Sequence, residues 1–202
     1  DFPFDIDLIG TPNEEIAGAK ISMLEKGLFS SYEFAILSQM SPVNSTCFHT
    51  LAASDLNVHF FGKTAHASAN PWEGINALNG VQLFFHAIDL IRPYLEPGSQ
   101  ISGIIKDGGV MPNLIPDKAS AYVYLRANRY EQILRLKERV ENCAKGSAIA
   151  SENQFTTEQL NPTYAEIFCG PTTEKILGNI MDQLNLSRQE TSNISGSSDV
   201  GN

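Results

Sequence analysis

The chain has 202 residues, 42% of them hydrophobic and 18% charged, the balance of a globular protein and not of a disordered one. A formal net charge of −9 and an isoelectric point near 4.8 argue against a phosphate-backbone binder, which needs basic surface. No apolar stretch approaches the roughly 20 residues of a membrane span, and no signal-peptide pattern opens the sequence, so neither nucleic acid nor membrane is expected as a partner.

In chain order, Ile6, Leu8 and Ile9 read as an opening strand that stops in the turn Gly10-Thr11-Pro12-Asn13. The segment from Ile16 to Leu28 spaces its apolar residues as a helix does and breaks at Gly27. Phe34-Ala35-Ile36-Leu37 suits a short buried parallel strand, so residues 1–51 read as βαβ material from a larger doubly wound sheet.

A second block begins near Ala52. Leu56, Val58 and Phe60 alternate with Asn57, His59 and Phe61 as a strand does. Pro71 is expected to open a long helix with the stripe Ile75, Leu78, Val81, Phe85, Ile88, Ile91 and Leu95, ended by Pro97-Gly98. Residues 101–105 and 119–125 read as strands, 130–150 as a helix and 155–160 as a last strand. Strand, helix, strand, strand, helix, strand is the ferredoxin-like order. Residues 162–202 add one helix, over 172–184, and a polar loop. The three cysteines, Cys47, Cys143 and Cys169, are odd in number and lack close pairing, so reduced thiols in a cytoplasmic protein are expected. Sequons stand at Asn44, Asn185 and Asn193, and carry little weight in a chain with no signal-peptide pattern. The first residue is Asp, which suggests a piece of a longer protein.

The chemistry centres on Glu14 and Glu15, delivered by a strand and turn to the edge of a sheet. Two adjacent carboxylates repel, and a metal ion relieves the repulsion while one ligates and the other takes a proton from bound water. The plainer alternative is negative charge decorating the first turn of a helix.

Gly10-Thr11-Pro12-Asn13-Glu14-Glu15, the run Gly62 to Leu78 containing Ala65-His66-Ala67, Gly108-Gly109, Pro112-Asn113-Leu114-Ile115-Pro116-Asp117, and Gly196-Ser197-Ser198-Asp199-Val200-Gly201-Asn202 occur in order. Together they resemble the co-catalytic metallopeptidases of the aminoacylase, glutamate carboxypeptidase and succinyl-diaminopimelate desuccinylase family. The likeness is nearest to the aminobenzoyl-glutamate hydrolase and β-alanyl-lysine dipeptidase branch.

The resemblance implies an α/β protein: a partial doubly wound catalytic domain (1–51 and 162–202) carrying an inserted ferredoxin-like (βαββαβ) lid and dimerisation domain (52–161). It implies a metal-dependent hydrolase of amide bonds in small N-acyl amino acids or dipeptides, with one or two zinc or manganese ions and a homodimer through the inserted domain. In it Glu14 is the general base, Glu15 a metal ligand, and His66 the stabiliser of the tetrahedral oxyanion, in several members from the neighbouring subunit. Asn113 would hydrogen-bond substrate; as a turn residue it would bond its own backbone. Arg126 would pair with a substrate carboxylate, or be a solvated surface charge. Asp199 would stand behind the metal site, or simply serve a turn.

Two features depart from the family pattern. Gln39, in Ser38-Gln39-Met40, falls where a ligating His is expected, and an amide is a poor zinc ligand. The flanking ligand segments are not in the sequence, which leaves Glu15 as the one standard ligand, so the chain by itself is expected to hold no stable two-metal site. The alternative function is therefore a catalytically inactive relative or fragment that binds a ligand or dimerises.

Overall fold

The computed structural model describes residues 5–13, 18–40, 43–189 and 196–202. Its helices are α1 (Ala19–Glu25), α2 (Ala77–Ile91), α3 (Tyr130–Ala150) and α4 (Pro171–Gln183); its strands are β1 (Ala52–Phe61), β2 (Gln100–Asp107), β3 (Lys118–Ala127) and β4 (Gln154–Glu158). The strands form one antiparallel sheet in the order β2-β3-β1-β4, the ferredoxin-like arrangement read from the sequence. β1 pairs with β3 along its whole length, from Ala52 opposite Ala127 to Phe61 opposite Lys118.

Period-2 alternation puts Leu56, Val58 and Phe60 of β1 and Ala121, Val123 and Leu125 of β3 on one face. Against them pack Val81, Phe84 and Ile88 of α2 and Ile133, Leu136, Val140 and Ala144 of α3, all buried in one core. Burying each large member is worth roughly 1.5–3 kcal/mol. Both helices lie on this one face and pack on each other. A Cβ on Gly80 would come within 2.5 Å of the Phe60 ring, so a glycine lets α2 approach β1 there.

The long helix starts later and stops earlier than its apolar stripe. Ile75 exchanges backbone hydrogen bonds with Lys63, both 2.8 Å, and so cannot join a helix. Pro71–Glu73 is an isolated 3-10 turn, and α2 begins after Asn76, whose Oδ1 accepts the Leu78 N–H at 2.9 Å. At the far end Pro93 lacks an N–H to donate, and the chain passes into a 3-10 turn, Arg92–Tyr94.

Three expectations are corrected. Residues 5–10 and 33–40 contain no strand; Ile6, Leu8, Phe34 and Ile36 are 74, 101, 67 and 78% exposed. A parallel strand needs a neighbour for its N–H and C=O groups, and the one sheet among the described residues offers these runs none. The first helix, expected over 16–28, is seen as the seven residues of α1, behind Gly18 in the left-handed conformation at φ 55°. The thiols are not all reduced: Cys47 and Cys169 are joined in a disulfide with Cα atoms 6.2 Å apart, leaving Cys143 free.

The segments entering and leaving the sheet run side by side. Ala53 and Tyr164 exchange backbone hydrogen bonds of 2.9 and 2.8 Å, and Thr50 Oγ1 accepts the Ile167 N–H at 2.9 Å. Asp55, 1% exposed, accepts the N–H groups of Leu160 (2.9 Å) and Asn161 (3.2 Å), the Asn161 side-chain amide and the Tyr122 hydroxyl (3.0 Å). Those donors replace the water a buried carboxylate loses.

Candidate functional site

His66 sits on a loop held open by its neighbour. Residues 62–67 run antiparallel to 113–117: Gly62 N–H bonds the Asp117 carbonyl (2.8 Å), Ile115 N–H the Ala65 carbonyl (3.0 Å) and Ala67 N–H the Asn113 carbonyl (3.0 Å). His66 thereby bridges to Leu114, next to Asn113, and both His66 and Asn113 are exposed. Glycine is required at two points. A Cβ on Gly62 would sit 2.0 Å from the Ile75 carbonyl oxygen, and Gly109, at φ 104°, lies against Pro116.

The His66 ring is oriented. Its Nδ1 accepts the Ser68 backbone N–H at 3.3 Å and lies 3.2 Å from Ser68 Oγ. A ring nitrogen that accepts carries no proton, so this contact puts the proton of the neutral ring on Nε2. Beside this loop a cavity of about 350 Å³ is lined by Ala67, Asn76, Leu78, Gly109, Met111 and Leu114, at the small end for a ligand pocket. Two other histidines are engaged elsewhere: His49 packs on Phe168 at 5.6 Å, and His59 contacts Asn57 at 2.9 Å.

Arg126 and Asp199 lie elsewhere. Phe61, near His66, pairs with Lys118, whereas Arg126 pairs with Ala53 eight residues further along β3, about 26 Å away at ~3.3 Å per residue. The Arg126 guanidinium stands 5.1 Å from the Tyr124 ring centroid, a cation–π contact. Asp199, 2% exposed, accepts the Lys20 N–H at 3.1 Å and its ammonium at 2.7 Å, the carboxylate thus resting on the first turn of α1. The expected site residues therefore divide between the two ends of the sheet, His66 and Asn113 at one, Arg126 and Asp199 at the other.

Glu14 and Glu15 lie outside the described residues, so their expected place at a strand end is open. Gln39 is described, exposed, and not on a strand. Among the described residues no three His, Cys, Asp or Glu side chains converge as a metal site.

Sequence reasoning missed three residues. Lys20 holds Asp199; Asp55 gathers the chain leaving the sheet; Glu166 accepts the Tyr130 N–H at 2.8 Å and Arg129 at 3.3 Å at the start of α3. Only Glu166 had a usable signal, the uncapped start of α3. Burial, and secondarily the Asp55 carboxylate, push the Tyr122 hydroxyl up to about 12.

Residues 52–152 match the peptidase dimerisation domain of the M20 family. Over 149 residues, 74% of this chain, the sequence is 34% identical to the Xaa-Arg dipeptidase of Mus musculus, covering 35% of that protein. Over 146 residues, 71% of this chain, it is 25% identical to a component of the p-aminobenzoyl-glutamate hydrolase of Escherichia coli, covering 30% of it. The chain thus spans about a third of the length of the curated relatives it matches. The fold matches an aminobenzoyl-glutamate utilization protein from Klebsiella pneumoniae (TM-score 0.72, 18% identity, 89% of this chain and 48% of that one). It also matches aminopeptidase PepT from Bacillus cereus (TM-score 0.63, 16% identity, 82% and 44%).

Proposed function

Because the chain belongs to the M20 peptidase family, through its dimerisation domain, we propose that its full-length protein hydrolyses the amide bond of small N-acyl amino acids or dipeptides. In this reading residues 52–161 are the lid and dimerisation unit, and 1–51 and 162–202 belong to the catalytic domain. Relatives named as a dipeptidase and an aminobenzoyl-glutamate hydrolase support the amide-bond class.

The observation that carries the reading is the state of His66: exposed, on a braced loop, with Nδ1 engaged by the Ser68 N–H, which leaves Nε2 as the ring's donor. Such a donor stabilises the oxyanion that forms when water adds to an amide carbonyl. Asn113, one residue from the His66 bridge, would hold the substrate's carboxylate or carbonyl. Glu14 would take the proton of the attacking water and Glu15 would bind a zinc or manganese ion, which when present supplies Lewis acidity. Arg126 lies about 26 Å along the sheet from the His66 loop, a spacing that favours a site shared between two subunits. A two-fold homodimer, in which His66 reaches its partner's site, resolves the division. Asp199 acts through Lys20 on the helix that follows the acidic pair.

Gln39, in place of the ligating His that the family likeness leads one to expect, favours a second reading, an inactive relative that binds or dimerises. The Cys47–Cys169 disulfide favours an oxidising location over the cytoplasmic one read from the sequence. No described helix is long and apolar enough to cross a membrane. Replacing His66 by Ala in the full-length protein tests the function. A fall in kcat of about 10²–10³ with KM little changed is expected for a lost oxyanion donor. A wild-type protein with no amidase activity on any N-acyl amino acid or dipeptide would leave the inactive reading.

A further inference from the structure

We propose that the Cys47–Cys169 disulfide clasps the two segments by which the chain enters and leaves the four-stranded sheet, so that the redox state of this one bond sets how freely the sheet unit moves on them. The two segments form a short ladder. Asp55 gathers Leu160 and Asn161 at the sheet, Ala53 pairs with Tyr164, Thr50 pairs with Ile167, and Cys47 is bonded to Cys169 at the end away from the sheet. The first three rungs are hydrogen bonds, each of which opens and closes on its own. The last joins residues 122 apart and is the covalent cross-connection among the described residues. While it is closed the segments stay within pairing distance, and a broken rung reforms quickly; once it is open each rung must find its partner without that constraint.

The clasp also reaches the helical layer. Glu166, between Tyr164 and Cys169, holds the first N–H of α3 and the Arg129 side chain, and Phe168 lies 5.5 Å from the same guanidinium. Strain or slack in residues 163–169 is therefore transmitted to the start of α3. Cys47 is only 5% exposed, while Cys169 is half-buried. Opening it takes two electrons and two protons from a dithiol, which becomes a disulfide as Cys47 and Cys169 become thiols.

The test is hydrogen exchange on the native protein with and without dithiothreitol, read by peptide mass spectrometry, with alkylation in denaturant to count thiols. Without reductant one alkylated cysteine, Cys143, and a linked Cys47–Cys169 peptide are expected; with reductant, three alkylated cysteines. Amides of residues 50–53, 163–168 and 130 should then exchange about tenfold faster or more, while those of β3 stay protected. The double variant C47S/C169S should copy the reduced pattern and C143S the oxidised one. If the double variant does not fold, the dithiothreitol arm on the native chain decides alone. Three alkylated cysteines in the oxidised protein, or equal exchange at the crossover in both states, would overturn the proposal.

Discussion

The backbone N–H of Ser68 donates to Nδ1 of His66 across 3.3 Å, and this contact favours the tautomer with the proton on Nε2. Nitrogen chemical shifts of the neutral His66 ring are therefore expected to report protonation at Nε2. Ser68→Pro removes the donating N–H and should leave a mixture of the two tautomers. A neutral ring already protonated on Nδ1 in the unaltered chain would remove the oxyanion role proposed for it.

A second expectation concerns Asp55. Its carboxylate is buried on the sheet face opposite the helices, and its four donors come from Tyr122 and the exit segment. Asp55→Ala leaves those donors without a partner and should cost about 3 kcal/mol, measurable by urea denaturation. A loss under about 0.5 kcal/mol, the range of an ordinary surface substitution, would mean that water replaces the carboxylate without penalty.

The paired hydroxyl yields a pH dependence. Tyr122 is raised from 10.0 to about 12, with burial as the leading cause and the Asp55 contact next. Between these values the folded chain holds a proton that the unfolded chain has released. The contribution is therefore whole below pH 10 and declines as pH rises toward about 12. Alkaline melts should show stability falling across that window, with a shallower fall in Tyr122→Phe. Identical slopes for the two proteins would show that Tyr122 titrates normally.

How far the sequence announced this outcome depends on whether an element's partners lie within the chain. The sheet and helices α2 and α3 were legible because their alternating and 3.6-period patterns face one another inside residues 52–158. Ile6 to Ile9 and Phe34 to Leu37 have the composition of buried parallel strands, but composition cannot say whether a neighbouring strand is at hand, and among the described residues none is. The break at Ile75 was hidden because its cause, the pairing with Lys63, is tertiary. Of the expected site residues, His66 and Asn113 were picked out as motif residues and fall on two adjoining segments that pair with each other. Lys20 with Asp199, 179 residues apart, and Cys47 with Cys169, 122 apart, were not, since long-range pairing leaves no local periodicity.

Subunit complementation tests the central claim most directly, because it needs the dimer, Glu14 and His66 at once. Full-length His66→Ala and Glu14→Gln proteins, each inactive alone, would be unfolded together, refolded and assayed for hydrolysis of an N-acyl amino acid or dipeptide that the unaltered protein cleaves. Half of the resulting dimers are mixed, and each mixed dimer contains one site with both residues intact if His66 acts across the two-fold axis. The account expects recovery of about a quarter of the unaltered activity. Recovery at the level of the two separate variants, with mixed dimers verified by mass, would contradict it.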